Sequence, residues 1–282
     1  MSSRLLDGRD LASHLRRELE HRVIALRGSD EEPPPILAIL RDGSSEPAAL
    51  YAASLERAAR SVGIEPRLVI AAEPTGLEAQ VDELNADPRV AGIVVAQPFA
   101  DVGIGRRLAE RIDPAKDVDG ATPTNAGRLA RGEPAFVPAT ALAVVAILEA
   151  HRVEVAGLRA VIVGRSAVVG RPVASLLLAR DATVVICHRA TRNLARETRR
   201  AEVLVAAAGA PRLIRPEMVN RSAIVIDCGI NAVDGTITGD VDFDAVAPVV
   251  RAITPVPGGI GPVTPMMVLR QTVESAERLT SH

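Results

Sequence analysis

Aromatic residues, cysteine and lysine are scarce in this 282-residue chain. It has no tryptophan, one tyrosine and three phenylalanines. The two cysteines, Cys187 and Cys228, end apolar runs with no CxxC motif or Cys/His cluster nearby, so we expect buried thiols, no disulfide framework and no metal site. Lys116 is the single lysine among 33 basic residues.

Long hydrophobic runs and an excess of charge of one sign are also lacking. No run approaches the roughly 18 apolar residues of a membrane span, and the first residues, MSSRLLDGRD, contain no apolar signal core. The formal net charge is -2, and no basic block occurs. We therefore expect a cytoplasmic protein that binds neither a membrane nor nucleic acid.

Short β-branched runs alternate with longer amphipathic runs in the first half of the chain. PILAIL, PRLVIAA and VAGIVVAQP predict strands, and the residues from Pro47 to Val62 and from Leu77 to Leu84 predict helices. This alternation is typical of an α/β fold with a mostly parallel sheet. The chain length favours two domains.

A second series of strands begins near Gly157. The runs LRAVIVG, ATVVICH, VLVAAAG, AIVIDCG and AITPVPGG are nearly continuously apolar, as parallel strands buried on both faces are. They predict a Rossmann-like unit. A closing helix is predicted from Pro265 to Leu279, with the proline in its first turn.

The segment LRAVIVGRSAVVGRPVASLLL predicts a nucleotide site. It contains a strand, a loop with Gly164 and Gly170, and a helix that Pro172 opens. Glycines let the backbone approach a pyrophosphate, and the helix N-terminus supplies N–H donors. The spacing departs from GxGxxG, so the motif alone is of moderate specificity.

The end of the second strand of this unit indicates which nucleotide is bound. NAD sites usually place an acid there for the ribose hydroxyls, whereas ATVVICHRATR ends in His188, Arg189 and Arg192. Together with Arg165, these side chains favour a 2′-phosphate and hence NADP over NAD. The alternative is that they are solvated charges at a strand end.

Several blocks together carry a family resemblance. KDVDG followed by NAGRL, then IVGRSAVVGRP, VIDCGIN, GDVDF and ITPVPGGIGPVT, resemble the methylenetetrahydrofolate dehydrogenase/cyclohydrolase family. The resemblance runs from about Leu5 to Glu274. KDVDG and PVPGGIGPVT are its most specific parts.

The resemblance implies the architecture and the reactions. It implies an N-terminal α/β catalytic domain that binds folate (1–138 plus 265–282), a C-terminal Rossmann-like NADP-binding domain (139–264), a folate cleft between them, a C-terminal helix that returns to the first domain, and a homodimer. One site would oxidise 5,10-methylenetetrahydrofolate by hydride transfer to NADP and hydrolyse the methenyl product to 10-formyltetrahydrofolate.

The family's functional residues carry over position by position. The resemblance implies catalytic roles for Tyr51 and Asp119. It implies substrate binding by Tyr51, Gln97, Asp119, Pro257, Gly258 and Gly259. The residues implied for cofactor binding are Gly164, Arg165, Ser166, Gly170, His188, Arg189, Gly209, Ile230 and Thr264.

The family's catalytic lysine is missing. In the family it stands four residues after the tyrosine, on the same helix face, and here that position is Leu55. The next family lysine is Arg57, a change that an arginine-rich composition explains, whereas leucine removes the cation. Lys116 belongs to the KDVDG block, and we expect a structural role for it.

Three further positions depart from the family. Its active-site glutamine is Ala96, with a glutamine one residue later at Gln97, which would reach the same face of the strand only if the strand end is bulged. The family's serine three residues before the tyrosine is Ala48 here. Its PCTP block reads PATA here, from Pro138 to Ala141.

These departures predict an NADP-dependent methylenetetrahydrofolate dehydrogenase with weak or absent cyclohydrolase activity. Hydride transfer needs positioning of two carbons, whereas hydrolysis needs proton transfer that the lysine would assist. Two alternatives remain open. One is a paralogue that acts on another one-carbon or specialised-metabolite substrate, and the other is a non-catalytic protein that binds NADP or folate.

Overall fold

The computed structural model describes residues 4–29, 32–71, 76–99, 101–233 and 235–280. Two short 3₁₀ turns lie at Pro216–Met218 and Ala247–Val249. The helices and strands, in chain order, are β1 (Arg4–Leu5), α1 (Arg9–Arg27), β2 (Ile36–Asp42), α2 (Glu46–Ser61), β3 (Glu65–Ala71), α3 (Leu77–Ala86), β4 (Val90–Ala96), α4 (Val102–Arg111), α5 (Pro123–Ala130), α6 (Ala139–Ala150), β5 (Arg159–Val163), α7 (Gly170–Leu178), β6 (Thr183–Cys187), α8 (Leu194–Thr198), β7 (Val203–Ala206), β8 (Ile224–Asp227), β9 (Asn231–Val233), β10 (Thr236–Thr238), α9 (Phe243–Val246), β11 (Ala252–Ile253) and α10 (Ile260–Thr280).

The chain forms two compact units. The three-stranded unit contains Ser13–Ala139 and Pro265–His282, and the six-stranded unit contains Met1–Ala12 and Thr140–Thr264. The family resemblance implies that the first residues belong to the folate-binding domain. The structure groups them with the six-stranded unit, where β1 pairs with β11.

The three-stranded unit has a parallel sheet in the order β3-β2-β4. Alternate residues of β2 and β4 on one face pack with the apolar side chains of α3 and α4. The buried residues of α2 lie outside that cluster, so α2 covers the other face. The side chain of Ser45 caps α2 by accepting a hydrogen bond from the N–H of Ala48.

The six-stranded unit has a parallel sheet in the order β1-β11-β8-β7-β5-β6. Its central strands are buried on both faces, as the continuous apolar runs predicted. The hairpin of β9 and β10 is separate. The α/β fold with a Rossmann-like second domain is thereby confirmed.

The C-terminal helix begins five residues earlier than predicted, at Ile260 rather than Pro265. Pro265 removes one backbone donor inside the helix. The carbonyl that loses this partner belongs to Gly261, which is exposed, so water can satisfy it. From Pro265 onward the helix belongs to the three-stranded unit, as the predicted return to the first domain requires.

Gln271 joins this helix to the segment that holds the KDVDG block. Its Nε2 donates to the carbonyls of Val118 (2.7 Å) and Val137 (2.8 Å), and its Oε1 accepts from the N–H of Val137 (2.8 Å). The side chain is buried. Three backbone groups that water cannot reach therefore depend on one amide.

Among the residues that the structure describes, no helix has the length and apolar character needed to cross a membrane.

We expect Gln271→Leu to lower the free energy of unfolding by about 3 kcal/mol or more, because three buried backbone groups lose their partner. Urea unfolding at neutral pH would measure this loss. The matched control is Gln80→Leu, which changes an exposed glutamine on α3. A loss below about 0.5 kcal/mol, the size of an ordinary surface change, would contradict the role given to Gln271.

Candidate active site

Lys116 anchors the KDVDG loop to the C-terminus of α3. Its Nζ donates to the carbonyls of Leu84 (3.2 Å), Asn85 (2.7 Å) and Asp87 (2.7 Å), at the C-terminus of α3. A cation at a helix C-terminus is favourable. Burial lowers the pKa of this amine, and the nearby acids Asp113 and Asp87 act in the opposite direction. With its three N–H donors engaged, Lys116 has the structural role that the sequence predicted.

Asp117 holds the turn that follows. It is fully buried and accepts hydrogen bonds from the backbone N–H groups of Ala121 (2.9 Å) and Thr122 (2.8 Å) and from Nδ2 of Asn125 (2.8 Å). Burial raises the pKa of this carboxyl, and the hydrogen bonds oppose that shift. All these contacts are internal, so Asp117 is a structural acid.

Gly120 closes the loop because no other residue fits there. Its φ is +58°, and a Cβ would lie 2.7 Å from the carbonyl oxygen of Phe136 and the carbonyl carbon of Val137. Side chains rarely adopt this left-handed conformation. The close approach brings residues 136–139 beside the loop, where the N–H of Ala139 donates to Asp119 Oδ1 (3.2 Å).

Tyr51 and Asp119 form an electrostatically coupled pair. Asp119 is half-buried, and desolvation raises its pKa to about 7, opposed by the Ala139 N–H and reinforced by Asp117. The pKa of Tyr51 is raised well above its ordinary value, first by burial and then by the charge of Asp119. Two groups with raised pKa values, one of which acts on the other electrostatically, are typical of a functional site.

Leu55 fills the position one turn after Tyr51. It is fully buried in the apolar stripe of α2 with Ala52 and Ala59. Arg57 is exposed. The helix therefore places no titratable side chain at the position four residues after the tyrosine.

The structure does not bring Gln97 to this pair. Side chains alternate along a strand, so Gln97 shares the face of Val95, which packs with α3 and α4. A Cβ at Gly105 in α4 would overlap the amide nitrogen of Gln97. Pairing with β2 is regular up to Arg41↔Ala96, and the only register shift between these strands lies at the start of β4. The bulge that the sequence analysis required is absent from the described strand end.

Arg41 is a cation on this side of the sheet that the sequence analysis missed. It pairs with Ala96 in register and so shares the face opposite the α3 and α4 cluster. The side chain is half-buried, and Nη1 donates to the carbonyl of Asp42 (3.0 Å). A charged residue at the end of the apolar run PILAIL was the available signal.

In the six-stranded unit, glycines shape the loop after β5. Gly164 has φ +138°, and a Cβ there would overlap the carbonyl oxygen of Ala207. Gly170 opens α7, and its Cβ would overlap the carbonyl oxygen of Gly164. Ser166 Oγ accepts from the N–H groups of Val169 (3.1 Å) and Gly170 (3.4 Å), and Arg165 is exposed beside it.

The end of β6 is cationic and carries no acid. His188 is half-buried and Arg189 is exposed. The N–H of Ala190 donates to Nδ1 of His188 (3.2 Å), and the N–H of His188 donates to Oγ1 of Thr191 (2.8 Å). The glycine cradle, the first turn of α7 and this cationic end fit a dinucleotide with a phosphate on its ribose.

Asp240 fixes the conformation of the loop after β7. No role was predicted for it from the sequence. Its carboxylate accepts from the N–H groups of Ala208 (2.6 Å), Gly209 (2.9 Å) and Ala210 (2.9 Å) and from Nδ2 of Asn231 (2.9 Å). It is fully buried. The predicted cofactor residue Gly209 thus owes its position to Asp240, within the GDVDF block.

Asp227 supports the same region from the end of β8. It accepts from the N–H groups of Gly229, Asp240 and Val241 (2.8 to 3.0 Å). Desolvation raises its pKa to about 6, while these hydrogen bonds lower it. The neighbouring Cys228 is half-buried rather than fully buried as expected.

The remaining predicted residues also lie in the six-stranded unit. Ile230 is 72% exposed after β8. Gly258 has φ +118°, and its carbonyl oxygen accepts a hydrogen bond from the N–H of Gly8 (2.8 Å). Its neighbour Pro257 is exposed and Gly259 is buried. Thr264 Oγ1 donates to the carbonyl of Ile260 in the first turns of α10 (3.2 Å). The substrate residues predicted at 257–259 therefore belong to a different unit from Tyr51 and Asp119.

We expect Asp240→Asn to weaken NADP binding about tenfold, because an amide cannot accept from three convergent N–H groups in the same way as a carboxylate. Isothermal titration calorimetry with NADP would measure the change. Asp242→Asn is the matched control, since Asp242 makes no side-chain capping bond at α9. Equal dissociation constants for the two variants would overturn the role of Asp240.

Comparisons with known proteins cover both units. The model of the tetrahydrofolate dehydrogenase/cyclohydrolase catalytic domain matches residues 6–119, and the model of the NAD(P)-binding domain of the same family matches residues 138–280. The bifunctional protein FolD of Parafrankia sp. is 46% identical over 274 residues, which are 97% of this chain and 99% of that protein.

Solved structures give the same result. The bifunctional enzyme FolD of Campylobacter jejuni superposes with a TM-score of 0.93 at 38% identity, covering 98% of this chain and 99% of that one. The Trypanosoma brucei dehydrogenase-cyclohydrolase, complexed with NADP cofactor and inhibitor, has a TM-score of 0.94 at 33% identity and covers 100% of both chains. The chain belongs to the tetrahydrofolate dehydrogenase/cyclohydrolase family.

Proposed function

We propose that this protein is an NADP-dependent 5,10-methylenetetrahydrofolate dehydrogenase whose cyclohydrolase step is weak or absent. The observation that carries the proposal is the contrast between two sets of residues. The glycine cradle and the cationic strand end fit NADP, and Tyr51 and Asp119 are retained, whereas Leu55 is apolar and fully buried. The homodimer stays a prediction.

Asp119 is the residue that would recognise the pterin. Within the described chain, its carboxylate accepts one hydrogen bond, from the Ala139 N–H, so acceptor capacity is left for a ligand. A carboxylate that meets two N–H donors of a pterin makes a charge-assisted bidentate contact. The charge of Asp119 raises the pKa of Tyr51, and the Tyr51 ring would contact the same ligand.

NADP would be held by the loop from Gly164 to Gly170, with the phosphate of its ribose near Arg165, His188 and Arg189. When bound, NADP supplies the hydride acceptor. The chain's contribution to that step is position, because the folate nitrogen's own lone pair drives hydride loss and no side-chain base is required. The altered residues therefore leave the oxidation intact.

Hydrolysis of the methenyl product is different, because water attack and ring opening move protons. Leu55 has no titratable group, and the raised pKa of Tyr51 keeps its phenol protonated at neutral pH. The Asp119 carboxyl would be engaged by the pterin N–H donors, which lower its pKa and leave it a carboxylate. Arg41 shares the face of Ala96, but a guanidinium does not release its proton in proteins. Loss of a positioned acid–base group costs about a hundredfold to ten-thousandfold in such a step.

A paired product assay tests the proposal. The protein is incubated with methylenetetrahydrofolate and NADP, and NADPH, methenyl and formyl products are each quantified against a reaction without enzyme. We expect NADPH to equal the sum of methenyl and formyl products, with formyl product forming only at the spontaneous rate. Formyl product that forms with enzyme as fast as NADPH would contradict the loss of hydrolysis.

Two variants sharpen the assay. Asp119→Ala should abolish folate turnover while NADP affinity is unchanged, and unchanged folate affinity would overturn the pterin role of Asp119.

Leu55→Lys alone should not recover hydrolysis, because Ala96 also lacks the family's amide. If wild-type protein forms no NADPH, the dehydrogenase assignment itself fails.

A further inference from the structure

A pocket of about 420 Å³ opens at the edge of the six-stranded sheet away from the nucleotide residues. Arg4 begins β1, Ile224 begins β8 and Ala252 begins β11, and these strands are neighbours in the sheet. Because the sheet is parallel, their amino ends share one edge. Gly164 follows the carboxyl end of β5 and so lies at the opposite edge.

The floor of this pocket is apolar. Leu6, Ile224 and Ala252 are buried, and Leu158 is half-buried beside them. The volume is in the range of pockets that bind small organic molecules. A ligand that fills it therefore needs an apolar body, and a bare inorganic ion would leave the floor unfilled.

The rim of the pocket is cationic. Arg4, Arg152 and Arg251 line it and are exposed, with Glu154 as the acidic residue of the lining. None of the three arginines makes an ion pair within the residues that the structure describes. Three arginines against one glutamate leave a net positive charge around one concavity, which attracts an anion.

A hydrogen bond to His151 orients the side chain of Arg4 at the pocket. Arg4 Nη2 lies 3.3 Å from Nδ1 of His151, whose Nε2 lies 3.2 Å from the carbonyl oxygen of Asp7. Since Arg4 can only donate, Nδ1 accepts and Nε2–H donates to the carbonyl. His151 thereby orients the guanidinium and leaves its other N–H groups for a ligand.

Arg152 occupies a strained position after α6. Its φ is +56°, and the N–H of Val153 returns to the carbonyl of Leu148 (2.8 Å), the helix ending at which glycine is usual. A residue other than glycine is strained in this left-handed backbone conformation. With the backbone in this conformation, Arg152 lies on the rim of the pocket.

We propose that this pocket binds an organic anion that has a ring-sized apolar body and a phosphate or sulfonate group, at a site separate from the NADP site. The apolar floor takes the body, and the guanidinium groups of Arg4, Arg152 and Arg251 take the acidic group through charge-assisted hydrogen bonds. The bound form excludes water from the floor formed by Leu6 and Ile224.

The test uses 1-naphthyl phosphate as a probe, titrated calorimetrically into the full chain in saturating NADP so that the nucleotide site is closed. We expect saturable binding of one molecule per chain. Inorganic phosphate alone and 1-naphthol alone should each bind at least about tenfold more weakly, because each fills only half of the site. The double variant Arg152→Gln/Arg251→Gln should lose at least about tenfold in affinity.

Arg200→Gln is the matched control, since it removes an exposed arginine of the same unit outside the pocket and should leave affinity within about twofold. NADP affinity of the double variant, measured in parallel, shows that it is folded. The proposal is overturned if 1-naphthyl phosphate does not bind, if the double variant binds it as wild type does, if NADP displaces it, or if inorganic phosphate binds equally well.

Discussion

The hydrogen bonds that satisfy the buried polar groups of the KDVDG loop determine the chemistry of the three-stranded unit. Lys116, Asp117 and Gln271 are all buried, and a buried charge or amide is tolerated only when its partners are supplied. Their contacts reach α3, the start of α5 and the segment before α6. Because these groups bond internally, Asp119 is the acid of the loop that keeps acceptor capacity for a ligand.

In the six-stranded unit, two buried acids accept hydrogen bonds from backbone N–H groups of the loops. Asp240 gathers three consecutive N–H groups after β7, and Asp227 gathers three around the turn after β8. These contacts give the loops a fixed shape without using Gly164, Arg165 or His188. These three residues therefore remain free for the cofactor.

Strands β2 to β8 and helices α2, α3 and α10 were predictable because apolar periodicity and glycine positions are local signals, whereas helices α1, α4 and α5 were not predicted. The runs PILAIL and LRAVIVG lie in β2 and β5, and the closing helix was missed only at its start. Gln271 and Asp240 were not predicted as site supports, since the backbone groups that bond to their side chains lie more than 20 residues away and no local pattern marks them. The direction of Gln97 depended on strand register, which the sequence leaves open.

The central claim, that the loop presents Asp119 as a desolvated carboxyl for the pterin, is tested most directly by its titration. Carboxyl ¹³C NMR, assigned with Asp119→Asn, would follow the free protein and the tetrahydrofolate complex. In the free protein the Asp119 carboxyl should titrate with a pKa of about 7, because burial disfavours its charged form. Folate N–H donors should lower that pKa. An ordinary carboxyl titration in the free protein, or a pKa that folate leaves unchanged, would contradict the account.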